Sequence, residues 1–144
     1  MNDVTVNIEV EVNKTEDTEK IKQAVQNIFG AVTFDAKPKT WGQLLKAQTS
    51  GTQGLTKLAN MLKRAQILAA ARKVLRSGTD ETSITFYLNK QVAYAGHVSF
   101  SEQTAESPLG PIKIQIITDN PRQLIDWIAP RRLPKRKQGK QKTS

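Results

Sequence analysis

The sequence predicts an α+β fold, a largely antiparallel sheet with helices on one face. Residues 4–12 alternate apolar and polar side chains with the period of a half-buried strand. Residues 17–30 carry an amphipathic helix, and three more apolar alternating runs occupy residues 83–118. The predicted order of elements is β-α-β-α-α-β-β-β-α, in which successive strands pair antiparallel and the helices pack on one side.

The first third of the chain predicts two strands and two helices. Asp17 is the expected N-cap of the first helix and Gly30 its stop. The buried face of this helix is expected to be Ile21, Ala24, Val25, Ile28 and Phe29. A short second strand is predicted over Ala31–Pro38 and a short second helix over Thr40–Gln48.

One long helix is predicted over Leu55–Arg76. Its first half is amphipathic, whereas Ile67–Ala71 is apolar on almost all sides. An exposed apolar patch invites association, so this segment predicts a homodimer unless it is covered within one chain.

The last third predicts three strands and a helix. Ser83–Leu88 and Gln91–Phe100 are predicted as a hairpin, with the two residues between them as its turn. Ile112–Thr118 is the final strand. Asn120 is the expected cap of a last helix with Pro121 in its first turn, where a missing amide costs nothing.

Positive charge is sorted along the chain. Of the 22 Lys and Arg residues, nine lie between Ala36 and Thr79 and seven between Arg131 and Ser144, and neither segment contains an Asp or Glu. The remaining segments are acidic on balance, although the formal net charge is +9. Basic groups without acidic i,i+4 partners repel one another unless a polyanion neutralises them. The two segments therefore predict phosphate contacts.

RNA is the predicted partner, bound through its phosphates by a basic helix face and a basic tail. The helix residues are Lys57, Lys63, Arg64, Arg72, Lys73 and Arg76, and the tail residues are Arg131, Arg132, Lys135, Arg136, Lys137, Lys140 and Lys142. Structured RNA without strong sequence preference is expected, because phosphate contacts carry no sequence information. The tail has Leu133 as its only apolar group, so no membrane binding is expected.

A possible phosphate loop lies between the two predicted helices. Gly51 and Gly54 form a Gly-x-x-Gly pair that can let the backbone approach a phosphate, with the amides of Leu55 and Thr56 adding a helix N-terminus. Neither residue between the glycines is basic, and such pairs are also common in ordinary turns.

Aromatic residues are predicted to belong to the core and not to a platform for stacking bases. Tyr94 shares the core face of its predicted strand, and Trp127 belongs to the last helix. Trp41 and Tyr87 are interpreted in the same way. Recognition is therefore expected to rest on backbone and shape.

Catalytic and metal-binding residue types are sparse. The chain has no Cys and a single histidine, His97, for which the sequence places no nucleophile or carboxylate nearby. Neither an enzyme, nor a metal site, nor a cofactor is expected. Residues 1–130 are predicted to form one domain and residues 131–144 a disordered basic tail. The chain shows neither a signal peptide nor a membrane span, so a cytoplasmic location is expected.

Two internal motifs resemble those of a known family. Leu88-Asn-Lys-Gln-Val-Ala93, followed by Gly96, and Ser107-Pro-Leu-Gly-Pro-Ile112 are similar to segments of a small archaeal family of predicted RNA-binding proteins. The opening Val-x-Val-x-x-Glu-Val-x-Val-Asn13 also matches. The resemblance covers about residues 4–129. It implies a fold like that of the large-subunit ribosomal protein that binds 5S RNA, which is also likened to double-stranded-RNA-binding domains, and it implies a homodimer. A sister family is predicted to be associated with the RNA exosome.

Together these observations predict a non-enzymatic protein that contacts the phosphate backbone of structured RNA, with ribosomal RNA as one candidate. The alternative is a protein-interaction or assembly module whose basic surface binds an acidic protein partner.

Overall fold

The computed structural model describes residues 4–101 and 110–131. Its strands are β1 (Val4–Asn13), β2 (Phe34–Lys39), β3 (Gly42–Ser50), β4 (Ser83–Leu88), β5 (Phe100–Ser101) and β6 (Ile112–Thr118). Its helices are α1 (Thr18–Phe29), α2 (Thr56–Arg64), α3 (Leu68–Ser77), α4 (Lys90–Tyr94) and α5 (Pro121–Ile128), with a 3-10 turn at Thr52–Leu55. The strands form one sheet in the order β2-β3-β1-β6-β4-β5, and all neighbours are antiparallel. The predicted α+β class and antiparallel sheet are confirmed.

The central strand β1 owes its position to its alternating sequence. Its five apolar side chains, from Val4 to Val12, are buried, and the side chains between them are at least partly exposed on the other face of the sheet. Ile8 pairs with Ala47 of β3 on one side and with Ile114 of β6 on the other, so three strands contribute to one buried surface. Removing this surface from water is the main favourable contribution to folding.

Helices α1 and α5 begin where the sequence predicts. The Asp17 side chain accepts a hydrogen bond from the Glu19 amide at 3.0 Å, and α1 ends at Gly30 with φ 81°. The Asn120 side chain accepts from the Gln123 amide at 3.1 Å, with Pro121 as the first residue of α5. Both caps satisfy amides that a helix start leaves without partners.

The long helix predicted over Leu55–Arg76 is instead two helices, α2 and α3. The Gln66 amide donates to the Lys63 carbonyl at 3.1 Å and the Ile67 amide to the Leu62 carbonyl at 3.3 Å. These two hydrogen bonds form a Schellman motif, which ends a helix. Gln66 adopts φ 59°, a conformation usually taken by glycine, so the sequence lacked the usual stop signal.

The apolar segment Ile67–Ala71 is largely covered within the chain. Ala71 is buried, and Ile67 and Leu68 are partly buried against the core. Only Ala69 and Ala70 are exposed, so a second copy is not needed to cover this segment.

The helix predicted over Thr40–Gln48 is wrong, because these residues belong mainly to β3. This strand pairs along its length with β1 and, at its first six residues, with β2. Leu45 and Ala47 are buried at the strand spacing of two. Pairing on both sides determines the conformation here, and it overrides a weak local helical preference.

The strand predicted over Gln91–Phe100 is also wrong for most of its length. Asn89 caps α4, its side chain accepting from the Val92 amide at 2.9 Å, and only Phe100 and Ser101 pair with β4. The predicted second strand lies over Phe34–Lys39, and most of its residues are exposed. Asn is common both at helix N-caps and in tight turns, so the sequence at Asn89 is compatible with a helix start as well as with the predicted hairpin turn.

One edge strand of the sheet is interrupted by a proline, and the part of β4 that β5 does not pair with is covered by another segment. β2 is one edge, and it carries Pro38, which has no amide hydrogen to offer. On the other side, the outer edge of β4 is covered by the residues after α3. The Thr85 amide donates to the Gly78 carbonyl at 2.9 Å, and the Asp80 amide donates to the Ser83 carbonyl at 2.8 Å.

Within the part of the chain that the structure describes, no helix combines the length and apolar character needed to cross a lipid bilayer. The predicted tail, residues 131–144, lies outside the described residues except for Arg131.

Candidate nucleic-acid interface

A groove lined by four arginines lies between α3 and α5. Arg72 and Arg76 come from α3, Arg122 comes from the first turn of α5, and Arg131 follows α5. Thr79, Ile125, Asp126 and Pro130 complete the lining, and the groove has a volume of about 670 Å³. We call it the arginine groove.

Arg72 is held in place within this groove. Its Nη1 donates to Asp126 Oδ1 at 2.7 Å and to the Ala129 carbonyl at 3.1 Å. The Arg72 side chain is 14% exposed, whereas that of Asp126 is 58% exposed. These two hydrogen bonds join α3 to α5 and to the residue after α5. The main role of Arg72 is therefore structural, because part of its guanidinium is already engaged and is not free to bind a ligand.

The other three arginines are exposed. Within the described residues, no carboxylate lies at ion-pair distance from Arg76, Arg122 or Arg131. Asp126 is the only acid among the residues that line the groove. Four guanidinium groups against one carboxylate give the groove a positive potential. Guanidinium groups bind phosphate oxygens in a two-point geometry, which makes the groove suitable for a phosphodiester backbone.

A second hollow adjoins the arginine groove and extends the basic surface along α3. It shares Arg72, Arg76 and Arg131 with the groove and adds Lys73, with Ala69 and Ser77. The structure thus brings together three residues predicted on the basic helix face, Arg72, Lys73 and Arg76, and one predicted in the basic tail, Arg131.

The remaining predicted residues lie elsewhere. Lys57, Lys63 and Arg64 are exposed on α2 and are not part of the groove lining. Lys57 Nζ lies 3.4 Å from the Gln26 carbonyl of α1. Lys63 and Arg64 occupy the last turn of α2, where positive charge interacts favourably with the helix dipole. The tail residues Arg132, Lys135, Arg136, Lys137, Lys140 and Lys142 lie outside the described residues.

The Gly51 and Gly54 amides are already engaged. The Gly51 amide donates to the Val4 carbonyl at 2.8 Å, the Gly54 amide donates to the Gly51 carbonyl at 3.3 Å, and Gly54 is buried. The Thr56 amide donates to the Gln53 carbonyl of the 3-10 turn. The phosphate loop stays a prediction, with few amides left to serve it.

Arg122 is the groove residue that the sequence analysis missed. It stands in the first turn of α5, directly after Pro121. A positive charge at a helix N-terminus is unfavourable next to the helix dipole. A basic residue in that position could therefore have indicated a role in binding an anion. Asp126, one turn later, was missed too, because its partner Arg72 is 54 residues away in the sequence.

The aromatic prediction is wrong for three side chains. Trp41 and Trp127 are each 38% exposed and Tyr94 is 47% exposed. Tyr94 leaves the core because Gln91–Phe100 is not a strand. It packs instead below Lys20, whose Nζ lies 5.9 Å from the ring centroid.

The single histidine and the metal-binding potential of residues 4–101 and 110–131 can be compared with the sequence predictions. His97 is exposed in the segment after α4, not in a strand. No group of three His, Asp or Glu side chains in those residues is arranged to hold a metal ion.

The motif Leu88–Ala93 has a structural role. Lys90 is buried, and its Nζ lies 2.5 Å from the Glu11 carbonyl and 3.2 Å from each carboxylate oxygen of Glu16. Glu16 also accepts from the Asn13 amide at 2.8 Å. Burial lowers the pKa of Lys90, and the neighbouring Glu16 carboxylate partly offsets this effect. The motif therefore fastens α4 to the end of β1.

The fold and the groove define a small α+β protein with a positively charged surface built between two helices. A family model described as RNA binding matches residues 5–118, and the chain belongs to this family. The match covers the sheet except Val4 and ends before α5, so Arg122, Asp126 and Arg131 lie beyond it.

Archaeal proteins are similar over most of the chain. A UPF0201 protein of Pyrobaculum islandicum is 46% identical over 123 residues, which cover 85% of this chain and 86% of the relative. A UPF0201 protein of Methanopyrus kandleri is 43% identical over 128 residues, covering 83% of this chain and 80% of the relative. The predicted resemblance to a small archaeal family is confirmed.

Solved structures share the fold. The crystal structure of a UPF0201 protein from Methanococcus jannaschii has a TM-score of 0.79 at 34% identity and covers 90% of this chain and 95% of its own. A DUF54 protein from Methanothermobacter thermautotrophicus has a TM-score of 0.60 at 17% identity, covering 88% of this chain and 98% of its own, and shows similarity of fold alone.

Proposed function

We propose that this chain is a non-enzymatic protein that binds the phosphate backbone of structured RNA in the cytoplasm, with the arginine groove at the centre of the binding surface. The observation that carries the proposal is the meeting of Arg72, Arg76, Arg122 and Arg131 around a single carboxylate. Membership of an RNA-binding family supports RNA as the polyanion.

Placement on two packed helices distinguishes this groove from a general excess of positive charge. Arg72 and Asp126 join α3 to α5 through a 2.7 Å ion pair, and the exposed arginines lie beside this pair. Donors carried by two joined helices suit a phosphate spacing, so the groove favours RNA of a particular shape over RNA of a particular sequence.

The tail and α2 carry further basic residues that we include in the proposed function. Arg131 lines the groove and is the first residue of the tail, so the six basic residues from Arg132 to Lys142 follow directly from the groove in the chain. Lys57, Lys63 and Arg64 offer a second exposed basic patch on α2. We assign both a supporting role in phosphate binding.

Salt dependence of binding tests the groove against the α2 patch. Two triple variants remove equal charge: Arg76→Gln, Arg122→Gln and Arg131→Gln in the groove, and Lys57→Gln, Lys63→Gln and Arg64→Gln on α2. Wild-type affinity for duplex RNA is expected near ~10⁻⁴–10⁻⁶ M at physiological salt. The groove variant should lower the slope of log affinity against log salt by up to about 3, since each lost phosphate contact removes roughly 0.9.

The α2 variant serves as the matched control and should lower that slope less. Equal effects of the two variants would show that the groove has no special role. Absence of binding by the wild-type protein at low salt would refute RNA binding, and co-purification of a stoichiometric acidic protein would favour the protein-interaction alternative.

We also propose a homodimer, which the family resemblance implies. Light scattering should give about twice the 16.0 kDa of one chain. A 16.0 kDa species at high micromolar concentration would refute the dimer.

A further inference from the structure

The β2–β3 hairpin ends in a short, firmly placed turn. Lys39 pairs with Gly42, so only Thr40 and Trp41 form the turn. Gly42 has φ 148°, and a Cβ there would lie 2.0 Å from the Val12 carbonyl oxygen. This close approach to β1 requires glycine and holds the turn against the central strand.

Trp41 stands exposed at this turn among basic residues. Its exposed fraction is 38%, and the residues from Asp35 to Thr40 are exposed as well. Lys37 and Lys39 are two residues apart in β2 and therefore lie on the same face of the strand. Neither forms an ion pair within the described residues. By contrast, Phe34 at the start of β2 packs against the core.

An exposed indole in a two-residue turn, preceded in β2 by two lysines without an ion pair in the described residues, matches the chemistry of an unpaired nucleotide. An aromatic ring stacks on the face of any base, and nearby positive charges bind the adjoining phosphates. A membrane surface is a poorer match, because the hairpin tip offers a single large apolar side chain surrounded by Lys, Pro and Thr.

We propose that the hairpin tip is a second RNA contact, at which Trp41 stacks on an unpaired base and Lys37 and Lys39 bind the phosphates beside it. This inference rests on the proposed RNA-binding function and adds to it a site that recognises single-stranded nucleotides. The backbone and shape contacts expected from the sequence are then joined by an aromatic one.

The tip and the arginine groove lie at opposite ends of the central strand. Gly42 pairs with Asn13 at the end of β1, whereas Thr118, two residues before the cap of α5, pairs with Val4 at its start. The ten residues of β1 span about 30 Å at ~3.3 Å per residue. An RNA that reaches both sites must therefore extend over a distance comparable with the length of β1.

The tryptophan content of the chain allows a direct test, because Trp41 and Trp127 are its only two tryptophans. In a Trp127→Phe variant, fluorescence reports on Trp41 alone. We would titrate this variant with a duplex of about 16 base pairs that carries a single-stranded adenosine tail, and with the same duplex without the tail. Quenching of Trp41 emission by the tailed duplex, and much weaker quenching by the blunt one, is expected.

Affinity supplies the second measurement. Trp41→Ala should weaken binding of the tailed duplex by about 5- to 100-fold while leaving the blunt duplex nearly unaffected. Trp41→Phe should recover part of the loss, because a smaller ring still stacks. Tyr94→Ala is the control, since it removes an aromatic ring that is 47% exposed on another element.

The outcomes separate this site from the groove. If both duplexes bind by anisotropy but Trp41 emission does not change, the hairpin site is refuted and the groove function stands. If neither duplex binds, both are refuted. A blue shift of Trp41 emission with phosphatidylglycerol vesicles, without quenching by RNA, would assign the tip to a lipid surface instead.

Discussion

Asp126 limits the positive potential of the arginine groove, because its carboxylate is the one negative charge among the groove's lining residues. Asp126→Asn keeps an oxygen that can accept from Arg72 and removes this charge. RNA affinity should rise about two- to fivefold at low salt, a gain that added salt reduces. Anisotropy titrations at two salt concentrations would measure it.

Glu19→Gln is the control for this prediction, since it changes net charge equally on α1, where the Glu19 side chain is 82% exposed. An equal gain in both variants would mean that net charge alone, and not the groove, determines affinity.

Lys90 and Glu16 form an ion pair whose side chains are 4% and 8% exposed. Lys90→Met leaves the Glu16 carboxylate buried without its counter-charge, so the free energy of unfolding should fall by about 3 kcal/mol or more. Adding Glu16→Gln should recover part of this loss. Chemical denaturation followed by circular dichroism would measure both.

Lys46→Met is the matched control, because Lys46 pairs with Glu9 at 3.8 Å while both side chains are more than 40% exposed, at 41% and 42%. Its cost should stay within about 1 kcal/mol. Equal losses for Lys90→Met and Lys46→Met would contradict a special role for the buried pair.

At the scale of elements, the junction of α2 and α3 depends on a residue in an unfavourable conformation. Gln66 adopts φ 59° between the two helices. Gln66→Gly should raise the free energy of unfolding by up to about 1 kcal/mol, because glycine adopts this conformation without a steric cost. Gln66→Ala should bring no gain, and a loss of stability in the glycine variant would contradict the assignment.

The sequence predicted those elements whose local signals agree with their environment. β1, β4 and β6 alternate clearly, and α1 and α5 carry cap residues that the structure uses. β3 and α4 were not predicted, because pairing with two neighbouring strands determines the first and the Asn89 cap determines the second. Strand pairing between distant segments does not appear in the local pattern of apolar residues, so this pattern could not predict β3.

The candidate site was predicted in part for the same reason. Arg72, Lys73 and Arg76 follow from an acid-free stretch that is visible in the sequence. Arg122 joins them only because α5 packs beside α3, a contact between segments about 50 residues apart. The distribution of charged residues in the sequence thus indicates a basic surface. The position of the groove on that surface depends on which helices pack together in the fold.

At the scale of the whole molecule, the tail should contribute to affinity more than to stability. Deleting residues 132–144 leaves Arg131 and the groove in place. If the tail neutralises about four phosphates, the slope of log affinity against log salt should fall by about 3 to 4. The melting temperature should hardly change, since the deleted segment has one apolar side chain, Leu133.

An unchanged slope in this truncated protein would assign the tail to solubility alone. The groove variant provides the comparison, because its effect should add to that of the deletion if the two regions contact different phosphates.

Pro38 and the segment Gly78–Asp80 have a consequence for how readily a foreign strand can add to the sheet. Foreign strands attach to a sheet through unpaired amides and carbonyls at its edge. Here Pro38 interrupts one edge, and on the other side Gly78–Asp80 already binds β4. A Cβ at position 78 would lie 1.9 Å from the Thr85 carbonyl oxygen, so glycine is what lets this cover lie flat. At Pro38 and along the first residues of β4, the native chain therefore offers few free backbone groups to which a foreign strand could add.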